Sequence, residues 1–270
     1  MRQHALIILG AGYTASFLLP LAHQRYTQVF ATSRNPDIRL GHLTPDQRIR
    51  FDLTQPDTWS HLPRESDLLW CFPATPLELV QKFSEAASLS TRRLVVLGST
   101  SAYDATDSAD YPPPWIDETA AIDLAKPRVQ GEEYLRLHCE AIILRIAGIY
   151  GPNRNPIDWV KTGRVRPSRK YVNLIHVEDL ARVCLAALMK AKPGEIYNVA
   201  DGTPRTWNDI CDSAGISRSL EPSQSDDSTL VGKRIANQRM VDLLASDQTR
   251  LQYPDILTQV LGRQRRQAPG

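Results

Sequence analysis

Short apolar runs alternate with amphipathic segments along the first half of the chain. Residues 6–9 and 94–97 are uninterrupted apolar runs, the pattern of strands buried on both faces of a sheet. Between them, Leu77, Val80 and Phe83 recur at the spacing of one helical face. Strands that alternate with helices indicate a mostly parallel sheet with helices on both faces.

The same pattern predicts the individual elements. Helices are predicted after the glycine turn at residues 10–12, over residues 76–88 and 126–139, after residue 177 and from Thr206. Strands are predicted at residues 6–9, 27–32, 49–51, 67–72, 93–99, 141–146 and 195–199. The fold class is therefore α/β, and a ligand is expected along the carboxyl ends of the strands.

The composition changes after residue 150. Residues 153–169 are polar and basic, which is typical of a substrate-side lobe or lid but equally of a plain surface connection. We expect residues 1–150 to form a dinucleotide-binding core. Residues 151–270 would return to that core at 171–191 and otherwise form a small substrate lobe and a tail.

The end of the first strand carries the most informative motif, Gly10-x-Gly12-x-x-Ala15. Gly10 would allow a tight turn, Gly12 would let the backbone approach a pyrophosphate, and Ala15 would let the next helix pack close to the strand. The helix N-terminus then offers free N–H groups to the phosphates. The alternative is a strand–helix turn that binds no ligand.

The end of the second strand indicates which dinucleotide is bound. Folds that bind NAD usually place a carboxylate there for the ribose 2′-OH. Here the chain has Ser33 and Arg34, and no carboxylate appears before Asp37. A guanidinium can pair with a 2′-phosphate, so NADP(H) is favoured over NAD(H). The alternative is that Arg34 is a solvated loop residue.

Charge and cysteine content exclude several classes of function. The net charge of +2 indicates no general attraction to nucleic acid or to an anionic membrane. The four cysteines lie far apart in the sequence, which argues against a zinc site and against a disulfide framework. The apolar runs are too short for a signal segment or a membrane span. We therefore expect a cytoplasmic protein without a metal, whose partner is a small-molecule substrate.

Several motifs in order carry a family resemblance over most of residues 5–210. They are Gly10-x-Gly12-Tyr13-Thr14-Ala15, Ser99-Thr100-Ser101-Ala102-Tyr103, Arg145-x-Ala147-Gly148-Ile149-Tyr150-Gly151-Pro152 and Asn173-x-Ile175-His176-Val177-x-Asp179-Leu180-Ala181. Together they resemble the extended and atypical short-chain dehydrogenase/reductase superfamily, in its NAD-dependent epimerase/dehydratase branch. The similarity is greatest to the subgroup labelled nucleoside-diphosphate-sugar epimerase-like.

The resemblance implies a Rossmann doubly wound parallel sheet with a small C-terminal substrate lobe. It also implies a homodimer, since members often pair through a helix that corresponds to residues 126–139. Asp52 would approach the adenine, although it could simply be a turn residue, and Phe72 and Ala74 would lie along the cofactor or belong to the core. The complete set of cofactor contacts implied by motif and resemblance is Gly10, Gly12, Tyr13, Thr14, Ala15, Ser33, Arg34, Asp52, Phe72, Ala74, Arg128 and Gly148.

One departure from the family pattern concerns the chemistry. Active members use Tyr-x-x-x-Lys, in which the lysine lowers the pKa of a tyrosine that would otherwise titrate near 10. Here Arg128 takes the lysine position and Leu124 the tyrosine position, and Leu124 has no proton to donate. Ser99 matches the catalytic serine and can orient a substrate hydroxyl. Tyr103 is the candidate substitute acid, with a packing role as the slightly favoured alternative.

These observations predict hydride transfer on a hydroxyl or carbonyl of a small substrate, which could be a nucleotide sugar. Ser99, Tyr103 and Arg128 are the candidate catalytic residues. A second interpretation is a catalytically impaired, cofactor-binding protein with a regulatory or redox-sensing role. A third, an interaction protein that keeps only the scaffold, is disfavoured by the intact glycines and by Arg34.

Overall fold

The computed structural model describes residues 3–87, 91–104, 108, 110–216 and 231–256. The predicted tail at residues 257–270 lies outside them. The strands are β1 (Gln3–Leu9), β2 (Tyr26–Ser33), β3 (Arg48–Arg50), β4 (Ser66–Trp70), β5 (Thr91–Ser99), β6 (Trp115–Ile116), β7 (Ile142–Ile146), β8 (Gly148–Tyr150), β9 (Tyr171–Val172), β10 (Leu174–His176), β11 (Ile196–Val199), β12 (Arg205–Thr206) and β13 (Arg234–Ile235).

The helices alternate with these strands. They are α1 (Tyr13–Arg25), α2 (Pro36–Arg39), α3 (Leu77–Ala87), α4 (Pro127–Cys139), α5 (Pro156–Lys161), α6 (Val177–Lys190), α7 (Trp207–Ser213) and α8 (Gln238–Ser246). Three short 3₁₀ segments cover Pro45–Gln47, Pro56–His61 and Thr100–Tyr103. None of the helices in the described residues has both the length and the apolar character needed to span a bilayer.

The central sheet has seven strands in the order β3-β2-β1-β4-β5-β7-β11, and every pairing in it is parallel. The strand order reverses at β1, which lies between β2 and β4. A doubly wound sheet binds its ligand outside the carboxyl ends of the strands at such a reversal. The predicted α/β Rossmann fold is confirmed.

The apolar run in β1 supplies two cores at once, because successive side chains of a strand point to opposite faces. Leu6 and Ile8 pack in the cluster that includes residues of α1, α6 and α8. Ile7 and Leu9 pack in the cluster on the other face, under α3 and α4. A strand covered on both faces has no place for a polar residue, which explains the uninterrupted pattern in the sequence.

The later part of the chain adds short elements beside the sheet. β8 pairs with β10, β9 with β12, and β13 with β6. The polar segment 153–169 contains helix α5, which buries Ile157 and Val160. Ile157 packs with Tyr150, Leu174 and Ile210 in a separate small core. This small core joins Ile157 and Ile210 of the predicted lobe to Tyr150 and Leu174, which belong to the ranges predicted for the dinucleotide-binding core.

Candidate functional site

The turn after β1 requires glycine at its first position. Gly10 has a φ of +76°, in the left-handed region that favours glycine. Its N–H donates to Thr32 Oγ1 at 3.0 Å, and the N–H of Ala11 donates to the Thr32 carbonyl at 2.9 Å. A β-carbon on Gly10 would lie 2.7 Å from Cδ1 of Phe72. These contacts fix the turn at the carboxyl edge of the sheet.

Gly12 differs from Gly10, because neither its backbone nor its neighbours require glycine. Its φ is −123°, and a β-carbon built on it would meet no atom of the described residues within 4 Å. It precedes α1 as the N-cap residue, and within the described part of the chain no side-chain hydrogen bond caps that helix end. The first-turn N–H groups therefore border open space beside Gly12, the arrangement that binds anions at helix N-termini.

A cleft with a cavity volume of about 790 Å³ extends from this helix end past β2 and β3. Beyond α1, its polar lining is Ser33, Arg34, Asn35, Arg39, His42, Arg50, Asp52 and Gln55. Ser33 and Arg34 were predicted from the sequence, and the structure brings them together with Gly12. Arg39, His42 and Arg50 were missed: Arg39 and His42 lie between β2 and β3, where the sequence shows no periodic pattern.

The carboxylates of Asp37 and Asp52, which lie near this cleft, both have bonding partners. Asp37 lies 3.5 Å from Arg48 in an ion pair and is absent from the lining of the cleft in the described residues. Asp52 Oδ1 accepts the N–H and the hydroxyl of Thr54 at 2.9 and 2.8 Å. The hydrogen bond from the Thr54 N–H is the main cause that lowers the pKa of Asp52, and the charges of Arg34 and Arg50 lower it further. Asp52 is therefore ionised at neutral pH and holds its own turn.

A second, smaller cleft of about 370 Å³ adjoins the glycine turn on the other side. Its apolar lining includes Phe51, Phe72 and Leu79, and Ser33, Arg34 and Asp52 are among the residues that line both clefts. The Phe72 ring lies 4.9 Å from that of Trp70, centroid to centroid. Ala74, predicted beside Phe72, is buried, and a β-carbon on Gly131 of α4 would lie 1.9 Å from its carbonyl oxygen. The structure places Ala74 in the packing between the β4 exit and α4.

The remaining predicted cofactor residues lie around α1 and β8. The hydroxyl of Tyr13 donates to the Pro152 carbonyl at 2.8 Å, so the first residue of α1 contacts the turn after β8. Thr14 and Ala15 are buried, which agrees with close packing of α1. Gly148 is exposed in β8, where its N–H donates to the Asn173 carbonyl at 3.0 Å.

Ser99 ends β5 at the same edge of the sheet. Its hydroxyl accepts the N–H of Ser101 at 3.2 Å, which caps the 3₁₀ turn Thr100–Tyr103. The hydroxyl lone pair used in this bond fixes the direction of the side chain. Leu124, at the tyrosine position of the family motif, is 55% exposed.

Tyr103 lies inside the protein rather than at the edge. It is fully buried; its hydroxyl donates to Asn198 Oδ1 at 2.8 Å and accepts from Arg145 Nη1 at 2.9 Å. Burial raises the pKa of Tyr103, and the guanidinium of Arg145 only partly offsets this effect. Both hydrogen-bonding functions of the hydroxyl are used, so the geometry favours the packing role over proton donation to a ligand.

Arg128 lies in the first turn of α4 and pairs with Glu132, Nε to Oε1, at 3.2 Å. Glu132 is 1% exposed and lies against β5, since a β-carbon on Gly98 would be 2.7 Å from its Oε2. Burial raises the pKa of Glu132, and Arg128 offsets part of that rise. Lys126 precedes the helix as its N-cap residue and reaches the Ser101 carbonyl, at 2.7 Å from Nζ.

Comparison with known proteins gives a partial match in sequence and a complete one in structure. No family model matches the chain. The protein YeeZ of Escherichia coli K12 is 33% identical over 122 residues, which is 44% of this chain and 43% of YeeZ. The match thus spans less than half the length of that relative.

Solved structures match over nearly the whole chain. A functionally unknown conserved protein from Silicibacter pomeroyi is 25% identical, with a TM-score of 0.70, covering 98% of this chain and 99% of its own. A protein of Methylobacillus flagellatus, assigned as an NAD-dependent epimerase/dehydratase, is 24% identical with a TM-score of 0.71, covering 98% and 100%. WbmG of Bordetella bronchiseptica, solved in complex with NAD, is 16% identical with a TM-score of 0.69, covering 99% and 95%. The chain therefore has the same Rossmann fold as these three proteins.

Proposed function

We propose that this protein binds a nicotinamide dinucleotide and transfers hydride to or from a small hydroxyl or carbonyl substrate. The observation that carries the proposal is the uncapped N-terminus of α1 beside Gly12, where a β-carbon would meet nothing within 4 Å. That space accommodates a pyrophosphate, and the two adjoining clefts accommodate the adenosine half. WbmG, which has the same fold, binds NAD in its structure.

We propose NADP(H) as the preferred cofactor and NAD(H) as the alternative. Ser33, Arg34, Arg39 and His42 line the larger cleft at the exit of β2, and guanidinium groups pair well with phosphate. Asp37, which could have received a ribose hydroxyl, pairs with Arg48 instead. The cleft thus has more positive than negative side chains where the 2′-phosphate would lie.

The bound cofactor would supply or accept the hydride. Ser99, at the end of β5, would orient the substrate oxygen by a hydrogen bond. The substrate class is a small alcohol or carbonyl compound, with nucleotide sugars as the class that the family resemblance favours. Arg128 would lie beside the cofactor ribose in place of the family lysine, held by its ion pair with Glu132.

A second candidate function is cofactor binding without turnover, in a regulatory or redox-sensing protein. The observation that favours it is that neither Leu124 nor the buried Tyr103 offers a proton at the sheet edge. The two functions share the cofactor site and differ in the presence of a proton donor near Ser99.

We also propose a homodimer that pairs through α4. On this helix Glu133 and Arg136 are paired with each other at 2.7 Å, while Leu137 is 63% exposed. Sedimentation of the wild type should give a dimer mass and that of Leu137→Glu a monomer mass. A monomeric wild type would remove the dimer from the proposal.

Calorimetric titration with NADPH and NADH tests the cofactor site. Arg34→Ala should weaken NADPH binding tenfold or more, because it removes a charged partner of the phosphate, and should leave NADH binding nearly unchanged. Arg92→Ala is the matched control: this arginine is exposed in β5 at the opposite, amino-terminal end of the strand. If the wild type binds neither dinucleotide, the glycine turn is purely structural and the proposed function fails.

A further inference from the structure

Three charged side chains converge on the turn that follows β5. Lys126 Nζ lies 2.7 Å from the Ser101 carbonyl, and Lys233 Nζ lies 3.1 Å from the Thr100 carbonyl. Both ammonium groups also donate to the carboxylate of Asp104, one to each oxygen. We call Lys126, Asp104 and Lys233 the lysine cluster.

The members of the lysine cluster come from three separate parts of the chain. Asp104 ends the 3₁₀ turn after Ser99, Lys126 is the N-cap residue of α4, and Lys233 immediately precedes β13. Only the folded chain brings them together. They meet beside the residue that the resemblance assigns to substrate orientation.

The fold places this cluster at one particular end of the proposed cofactor. The two clefts that would hold the adenosine half adjoin β2 and β3, and the pyrophosphate space lies at the end of β1. A dinucleotide that crosses a doubly wound sheet at its reversal point has its second half over the strands on the other side. Those strands are β4 and β5, so the nicotinamide would lie over their ends, on the side of the sheet where the cluster is.

The two lysine side chains of the cluster are partly accessible, and its carboxylate is ionised at neutral pH. The side chains of Lys126 and Lys233 are 29% and 20% exposed. Burial alone would raise the pKa of Asp104, but hydrogen bonds from both lysines outweigh it and lower that pKa. Asp123 adds a more distant carboxylate, 3.9 Å from Lys126 Nζ.

We propose that the lysine cluster replaces the tyrosine–lysine pair that this chain lacks. The Nζ atoms of Lys126 and Lys233 would face the nicotinamide and carry the protons that the reaction transfers. Asp104 keeps both ammonium groups at the end of β5. A proton passed from Nζ to a substrate oxygen leaves a neutral amine, which recovers a proton from water. The proposal rests on the proposed function, since it presupposes a nicotinamide at this edge.

The relative affinity for the two redox states of the cofactor tests this placement without a known substrate. The nicotinamide ring is positively charged when oxidised and neutral when reduced, so a nearby ammonium disfavours only the oxidised form. Lys126→Met and Lys233→Met should each change the ratio of the NADP⁺ and NADPH dissociation constants about threefold to tenfold, in favour of NADP⁺ binding. This is the size of effect expected from one charge several ångströms away in a partly hydrated site. Asp104→Asn should shift the ratio the opposite way. Lys161→Met, on α5, is the control and should leave the ratio unchanged.

A purely structural ion pair would change thermal stability in these variants and leave the ratio as in the wild type. Unchanged ratios in all three cluster variants would therefore overturn the proposal while the cofactor site itself stands. If the methionine variants fail to fold, Asp104→Asn decides alone, because its side chain is 47% exposed. A wild type that binds neither redox form would instead refute the proposed function, and this proposal with it.

Discussion

Gly10 packs directly against the ring of Phe72, and this contact joins the exits of β1 and β4. A β-carbon on Gly10 would lie 2.7 Å from Cδ1 of Phe72, and the φ of Gly10 is +76°. Backbone conformation and available space therefore both require glycine here. The glycine turn is a packed part of the core edge as well as the proposed cofactor site.

Gly10→Ala should lower the free energy of unfolding by about 2–3 kcal/mol, from the left-handed backbone and the overlap with Phe72 together. Denaturant unfolding measures the loss. Gly163→Ala is the matched control, because Gly163 has a φ of +71° but no described atom within 4 Å of a β-carbon. Equal losses for the two variants would show that the contact with Phe72 adds nothing.

Gly12→Leu should give the opposite result, a nearly intact fold without cofactor binding. Its side chain would enter the space beside the α1 N-terminus, where no described atom lies within 4 Å of a β-carbon. We expect a loss of stability of only about 1 kcal/mol, because glycine is a better N-cap residue than leucine. NADPH affinity measured by calorimetry should fall at least a hundredfold. Retained affinity would place the pyrophosphate elsewhere.

Much of the sheet could be predicted because its central strands are buried on both faces. The run at residues 67–72 predicts β4, which spans Ser66–Trp70, and the run at 141–146 predicts β7, which spans Ile142–Ile146. The small paired strands of the later segments could not be predicted. β9 and β12 have two residues each and pair across a long stretch of chain, and two residues are too few to show a period.

The residues proposed to bind the cofactor could also be predicted, because each is marked by a short local motif in the sequence. Gly10, Gly12 and Arg34 lie at fixed distances from strand ends. The positions of the other charged groups depend on tertiary structure, because Lys126 and Lys233 are connected through the carboxylate of Asp104. Pro127 marks the start of α4 in the sequence, but it does not reveal that the side chain of Lys126 turns back to the Ser101 carbonyl.

Tyr103→Phe should destabilise the protein and leave its site intact. The hydroxyl bridges Asn198 and Arg145 inside the core, and losing a buried hydrogen-bonding group of this kind costs about 1–3 kcal/mol. Thermal unfolding measures that loss, and NADPH affinity should be unchanged. Tyr111→Phe is the control, since that hydroxyl makes an exposed contact at 3.4 Å. Unchanged stability together with lost turnover on any identified substrate would restore Tyr103 as a proton donor.

Asp201 should make the stability of the protein fall as pH rises. Burial is the main cause that raises its pKa to about 7 from 3.8, while the N–H of Thr203, at 2.9 Å, opposes the rise. Between pH 4 and 7 the folded state therefore binds more protons at this residue than the unfolded state, so the contribution of Asp201 to the free energy of unfolding decreases with pH. A shift of this size corresponds to a loss of about 2–4 kcal/mol across that range.

Asp201→Asn should remove this dependence, because an amide keeps an acceptor for the Thr203 N–H and carries no charge to desolvate. Relative to the wild type, the variant should gain about 2–3 kcal/mol in stability between pH 5 and pH 8, measured by denaturant unfolding at both values. Asp242→Asn, an exposed carboxylate of α8 bonded to Gln238, should show no such gain. A difference between Asp201→Asn and wild type that stays constant with pH would mean that Asp201 is ionised in the folded protein throughout, with the nearby Arg205 compensating its charge.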